Sequence, residues 1–146
     1  SDILVHLARC CNPLPGEPII GFITRGRGIS VHSKSCPNVQ KMIFNAERIL
    51  ESKWQVSKGE KFLTRLMIRV ENNPGMLAKI TNTIAQLDIN IHHLEAKSEE
   101  NTRATVSLVA EVDDIDQLSD IANKIQEIKG VLSVKRVVKE YKESII

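Results

Sequence analysis

Apolar and polar positions alternate in short, broken runs over the first third of the chain and in long, regular runs beyond it. Leu66, Ile68 and Val70 alternate with Arg65, Met67 and Arg69, the period-two pattern of a half-buried strand. Asn72-Asn73-Pro74-Gly75 stops that strand. Leu77, Ile80, Ile84 and Leu87 then recur at helical spacing. Residues 89–96 read as a second strand, and Glu99-Glu100-Asn101 as a polar hairpin turn. Ala104, Val106, Leu108, Ala110 and Val112 alternate again. Asp113-Asp114 opens a second helix with the stripe Ile115, Leu118, Ala122, Ile125 and Ile128, and Gly130 reads as the C′ residue that ends it. Residues 131–138 form the last strand. The order β-α-β-β-α-β predicts a ferredoxin-like domain with an antiparallel sheet and both helices on one face.

The first third has a different character. Residues 3–8, 19–24 and 29–32 read as short strands, separated by the turns Asn12-Pro13-Leu14-Pro15-Gly16 and Arg25-Gly26-Arg27-Gly28. Residues 33–44 read as a short helix, with Ser33 or Ser35 as N-cap and Pro37 in the first turn. Residues 51–56, containing Trp54, read as a further strand. Lys58-Gly59-Glu60-Lys61 reads as a connector. The expectation is an α+β chain of two domains: a small cysteine-rich, zinc-finger-like α/β module at 1–57 and the ferredoxin-like domain at 58–146. So small and punctuated a module has little core of its own and needs a staple.

Composition narrows the function. No apolar run approaches the roughly 18 residues of a membrane span, and no signal peptide is visible. The chain begins with Ser1 rather than Met, which suggests a piece of a longer protein. The net charge of +2 is uneven: residues 1–61 hold nine Lys/Arg against five acids, a net of +4, and the remainder is −2. A polyanion would meet the first domain, with a merely solvated basic surface as the alternative. Gly26-Arg27-Gly28 lacks the third glycine of a dinucleotide fingerprint, and no Walker A sequence or catalytic triad context is present, so no catalytic residue is expected. Five aromatic residues are too few for a base-stacking platform; folded RNA held by its phosphates stays open.

Three cysteines, two of them adjacent, make a poor disulfide framework and fit a reducing compartment. Cys10, Cys11, His32 and Cys36 together have the donor chemistry of a tetrahedral Cys₃His zinc site. Adjacent residues of a strand point to opposite faces, so Cys10 and Cys11 need a tight turn at Asn12-Pro13 to act together. Three buried thiols acting as small hydrophobes are the alternative. His6 reads as a surface residue, and His92-His93 as strand neighbours facing opposite ways.

The run Ala8-Arg9-Cys10-Cys11-Asn12-Pro13-Leu14-Pro15-Gly16, then Gly21-Phe22-Ile23-Thr24-Arg25-Gly26-Arg27-Gly28-Ile29-Ser30-Val31-His32, then Cys36-Pro37, resembles the conserved-cysteine domain of the long Rel/SpoT stringent-response proteins. That domain is also called a zinc-finger or ribosome-intersubunit domain, and it lies directly before an ACT domain. Val70-Glu71-Asn72-Asn73-Pro74-Gly75-Met76-Leu77 is similar to the first strand-to-helix loop of ACT domains. The resemblance implies zinc on Cys10, Cys11, His32 and Cys36. It implies the C-terminal regulatory end of a cytoplasmic protein whose remaining part makes or degrades guanosine tetra- and pentaphosphate. That end would dock on the ribosome beside deacylated tRNA and restrain the other domains of the parent chain when undocked. Arg25, Arg27 and Lys34 are the expected RNA contacts. Valine or isoleucine is the implied effector, at an interface between the ACT domains of a homodimer, held by Asn72, Asn73, Pro74, Gly75, Met76 and Leu77 with Asn90 and Ile91 of the second strand. The helix start offers free N–H groups to a carboxylate. A plain Pro-Gly helix start, in a dimerisation or autoinhibition module without metal or small ligand, is the rival reading.

Overall fold

The apolar runs near the N-terminus form strands in a computed structural model that describes residues 4–99 and 102–141. Strands β1 (Val5–Leu7), β2 (Ile19–Ile23), β3 (Ile29–Ser33) and β4 (Ile49–Glu51) make one sheet of order β1-β3-β2-β4. β1 runs parallel to β3, and β2 runs antiparallel to both of its neighbours. The β2–β3 turn depends on Gly28: its φ is +75°, and a Cβ there would lie 2.0 Å from the carbonyl oxygen of Leu4.

A 3₁₀ helix, Pro37–Arg48, follows β3, with Cys36 at its N-cap and no side-chain cap. The expected cap by Ser33 or Ser35 is not made. Ser33 ends β3, and its hydroxyl donates to the Glu17 carboxylate and pairs with the Ser35 hydroxyl. The fourth strand also comes earlier than expected, at Ile49–Glu51. Trp54 lies outside it, and its indole N–H donates to the Glu17 carbonyl at 2.9 Å, a bond that draws the ring away from the sheet ladder. Leu14, Phe22 of β2 and Met42 of the helix are fully buried.

Beyond Val137 the chain returns to this unit. The Lys139 N–H donates to the Cys10 carbonyl at 2.8 Å. The buried amide of Asn38 donates to the Lys139 carbonyl and accepts from the Tyr141 N–H, both at 2.9 Å. The chain therefore divides into one unit made of the residues up to Lys58 with those from Val138 on, and a second of Gly59–Val137. Residues 138–141, expected to belong to the second domain, group with the first unit.

The second unit contains β5 (Phe62–Glu71), α1 (Met76–Gln86), β6 (Ile91–Ser98), β7 (Arg103–Val112), α2 (Ile115–Gln126) and β8 (Val131–Arg136). Its sheet has the order β6-β7-β5-β8 and every pairing is antiparallel, so the fold is the expected α+β, ferredoxin-like arrangement. β5 alternates strictly: Phe62, Thr64, Leu66, Ile68 and Val70 are buried and the residues between them are exposed. Of the expected β6–β7 turn, Glu100 and Asn101 lie outside the described residues; the Glu99 N–H donates to the Arg103 carbonyl beside them. Asp114 caps α2 by accepting from the Gln117 N–H at 2.8 Å. The buried stripe of α2 is Leu118, Ile121 and Ile125, so the larger Ile121 takes the core position expected of Ala122. In α1, Met76 replaces the exposed Leu77 in the buried set with Ile80 and Ile84. Gly130 lies three residues past the α2 cap Glu127 and, at φ +100°, turns the chain into β8 rather than closing the helix. No helix among the described residues is long and apolar enough to cross a membrane.

Candidate functional site

A single tight turn solves the problem of two adjacent cysteines. The Asn12 N–H donates to the Ala8 carbonyl at 2.9 Å, and Asn12 adopts φ +43°, a left-handed conformation that asparagine tolerates. Cys10 and Cys11 are both buried as a result. The interior of β3 supplies His32, and the start of the 3₁₀ helix supplies Cys36. The four donor atoms lie within 4.8 Å of one another, and all four residues are buried. Cys10 Sγ is 3.4 Å from His32 Nδ1 and 3.7 Å from Cys36 Sγ, and Cys11 Sγ is 4.0 Å from His32 Nδ1. Bonds of about 2.3 Å to sulfur and 2.0–2.1 Å to nitrogen set tetrahedral donors roughly 3.5–3.8 Å apart, so the set fits such a metal. The other imidazole nitrogen, His32 Nε2, pairs with Ser30 Oγ at 3.1 Å, which orients Nδ1 toward the thiols. The Ser33 N–H donates to Cys11 Sγ at 3.4 Å.

The electrostatics agree with a cation site. A hydrogen bond from Cys11, helped by His32 and Asn38, holds the Cys10 thiol down to about 3 against the opposing effect of burial. The same hydrogen bond, with burial, pushes Cys11 far up, and burial pushes up Cys36. Three thiols at these distances cannot all ionise beside one another without a neighbouring dication, whose charge would remove the conflict.

The expected RNA-contacting residues are not brought together. Arg25 and Arg27 sit on the β2–β3 turn, whereas Lys34 follows the other end of β3, about 20 Å along the strand. Arg27 instead joins His6, Arg9 and Tyr141 around a cavity of about 590 Å³ whose inner wall includes Ser30 and His32. His6 is therefore part of a concave wall.

In the second unit, Asn72, Asn73, Gly75, Met76 and Leu77 line a cavity of about 180 Å³ with Ala96. Gly75 caps α1 with φ +81°, and a Cβ there would meet nothing within 4 Å, so glycine serves the backbone turn. Asn90 and Ile91 are not at this cavity. α1 carries the chain back along the sheet, so β6 begins at the end opposite the loop of residues 72–77; Ser98, at its far end, accepts from the Asn72 amide at 3.3 Å. Asn90 instead accepts the Glu111 N–H through its backbone carbonyl. His92 pairs with Glu111 at 2.5 Å, and His93 lies 3.6 Å from Glu95.

Comparison with known proteins matches residues 1–55 to the RelA/SpoT RIS domain and residues 58–136 to the ACT domain. The chain is a RIS–ACT region of the RelA/SpoT family. It is 38% identical over 137 residues to a GTP pyrophosphokinase of Myxococcus xanthus and 35% identical over 137 residues to one of Streptomyces antibioticus. These alignments cover 94% of this chain but 18% and 16% of the relatives, so the chain spans less than a fifth of their length. The crystal structure of the ACT domain from the GTP pyrophosphokinase of Chlorobium tepidum, 28% identical, covers 53% of this chain and 100% of that one with a TM-score of 0.49.

Within the RIS domain, sequence reasoning missed Asn38, Ser30 and Arg9. Arg9 stands beside the cysteine pair and was open to notice as a charge with no assigned role. Ser30 is two residues before His32 and so on the same face of β3, a spacing that suggests contact. Nothing in the sequence points to Asn38, whose partners lie 101 and 103 residues away.

Proposed function

We propose that this chain is the docking and sensing region of a RelA/SpoT-type enzyme of guanosine tetra- and pentaphosphate metabolism. The observation that carries this reading is the buried set Cys10, Cys11, His32 and Cys36, with donors within 4.8 Å of one another. Zinc is the metal that four such donors suit, and four protein donors leave no open position for catalysis. Its contribution when bound is folding free energy. Three free cysteines favour a reducing compartment, the cytoplasm. The RIS domain then meets ribosomal RNA, beside deacylated tRNA, through the Arg25–Arg27 turn and, at a separate point, Lys34. The GTP pyrophosphokinase relatives support a parent synthetase or hydrolase that this region governs.

The test is co-sedimentation of the zinc-loaded chain with ribosomes. We expect one zinc per chain and binding that weakens with salt. Replacing Arg25 and Arg27 by alanine should lower the log–log salt slope by about 0.9 for each phosphate that the variant no longer neutralises, in the duplex limit. A folded, reduced chain without zinc, or unchanged association of the double variant, overturns the reading.

For the ACT domain, valine or isoleucine at the loop of residues 72–77 is the sensing reading. Its cavity of about 180 Å³ is below the roughly 300 Å³ at which drug-sized sites begin, and Asn90 and Ile91 lie outside its lining. These facts favour a second reading, a homodimerisation or docking domain. Heat on titrating valine or isoleucine selects the first reading; none at millimolar ligand selects the second.

A further inference from the structure

The cavity of about 590 Å³ beside the cysteine cluster is larger than that at the loop of residues 72–77; Cys10 and His32 of the cluster form part of its wall, and Arg9, His6 and Tyr141 in its lining have no part in the metal or RNA assignments. Its volume lies within the roughly 300–1,000 Å³ of small-molecule sites. Arg9, Arg27 and His6 converge on it, and no carboxylate lines it. Among the described residues neither guanidinium, nor the His6 ring, has a hydrogen-bond or ion-pair partner. Two guanidiniums facing one concave space with no carboxylate in its lining favour an anion there, since the Cys10 sulfur in the wall is already engaged by His32 and Cys36. Guanidinium groups match phosphate oxygens in geometry as well as charge. Leu7 and the Tyr141 ring add an apolar and aromatic wall that phosphate alone does not use.

We propose that this cavity binds a free nucleoside phosphate carrying two or more negative charges. Arg9 and Arg27 hold the phosphates, His6 adds a third polar contact, and Tyr141 packs against the base. A concave site with two converging guanidiniums suits a terminal phosphate better than the single charge of each phosphodiester along an RNA backbone, which a basic groove tracks instead. The buried Ser30 and His32 form the inner wall, and His32 is also a cluster residue, so an occupied cavity lies directly against the candidate metal centre.

The test is calorimetric titration of the zinc-loaded 146-residue chain with guanosine diphosphate, adenosine diphosphate, inorganic pyrophosphate and a short RNA duplex. At least one nucleoside diphosphate should bind. Arg9→Ala and Arg27→Ala should each weaken it about tenfold or more, the effect expected of removing one charge-assisted hydrogen bond. Tyr141→Ala keeps the backbone N–H that Asn38 accepts; it should weaken the nucleoside diphosphate about fivefold or more and leave pyrophosphate unchanged. Arg25, outside the cavity lining, serves as the control. Arg25→Ala should keep nucleoside diphosphate affinity within about twofold, because an exposed charge away from the site is screened by salt. If Arg25→Ala loses ribosome association and keeps the nucleotide, the two proposals stand apart. No heat from any free phosphate, equal weakening by Arg25→Ala and Arg9→Ala, or duplex RNA that binds through Arg9 and displaces the nucleotide each overturns the proposal.

Discussion

The two units of the chain bury different kinds of group. The ACT unit buries aliphatic side chains in a continuous layer: Ile68, Val70, Leu108 and Val112 of the sheet against Ile80 and Ile84 of α1 and Ile121 and Ile125 of α2. Thr64 is its one buried polar residue among those described. The RIS unit holds the other four, Ser30, His32, Ser33 and Asn38, and part of its apolar interior is itself Cys10, Cys11 and Cys36. Buried methyl groups need nothing beyond one another. Buried thiols and an imidazole need a partner to repay their desolvation. The contrast teaches where each unit's stability resides: in packing for one; in a few specific hydrogen bonds, and coordination if the proposed zinc is bound, for the other.

Metal removal gives the largest expected break in that contrast. Chelation under reducing conditions should disorder the RIS unit and leave the ACT unit folded, because structural zinc supplies on the order of 10 kcal/mol. Hydrogen exchange should then speed up in β2 and β3 and stay slow in β5 and β7; loss of both units together, or of neither, contradicts the contrast. A smaller effect is expected from Asn38→Ala, which leaves the Lys139 carbonyl and the Tyr141 N–H without their partner. It should cost about 1–3 kcal/mol, read first in the RIS unit that holds the lost bonds. Trp54, the single tryptophan of the chain, lies in that unit and reports its unfolding by fluorescence; an unshifted denaturation midpoint refutes the clamp.

The smallest effect belongs to the ACT unit. The hydrogen bond from His92 holds the Glu111 carboxyl below the usual carboxylate range. A lowered folded value means stability that is fully present above the unfolded value, near pH 4.3, and lost as pH falls through the folded one. Acid titration of the ACT unit should show a slight loss below about pH 4.5, and His92→Gln should flatten it. A curve that the substitution leaves unaltered removes this pair from the account.

Sequence pattern was most informative where one physical constraint acts alone. The β5 alternation and the α1 and α2 stripes follow from burial on one face, so the ACT unit was legible down to single positions such as Ile68 and Ile125. The errors came where two constraints compete. Ile121 and Ala122 both fit the stripe of α2, and volume decided between them. Trp54 has strand propensity, yet its hydrogen bond to the Glu17 carbonyl holds it outside the sheet. The placement of Asn90 and Ile91 followed a family expectation when the β-α-β order already required β6 to start at the far end of the sheet. The four cluster residues were legible by chemistry; Asn38 was not, because it binds backbone groups that only the fold brings near.

The return of the chain after Val137 makes the ACT unit an insertion within the RIS unit. Docking Lys139 and Tyr141 onto Cys10 and Asn38 therefore closes a loop over residues 59–137. Were that loop unstructured, closure would cost about 4 kcal/mol of chain entropy. Folded, it brings its own ends together: β5 begins where β8 finishes, and the Val137 N–H donates to the Arg65 carbonyl at 2.8 Å. Folding of the insertion thus removes most of the closure cost, and a docked tail favours the folded insertion by the same amount. The two units are linked through connectivity, so that whatever stabilises or loosens the ACT fold changes how firmly the tail sits against the cysteine cluster.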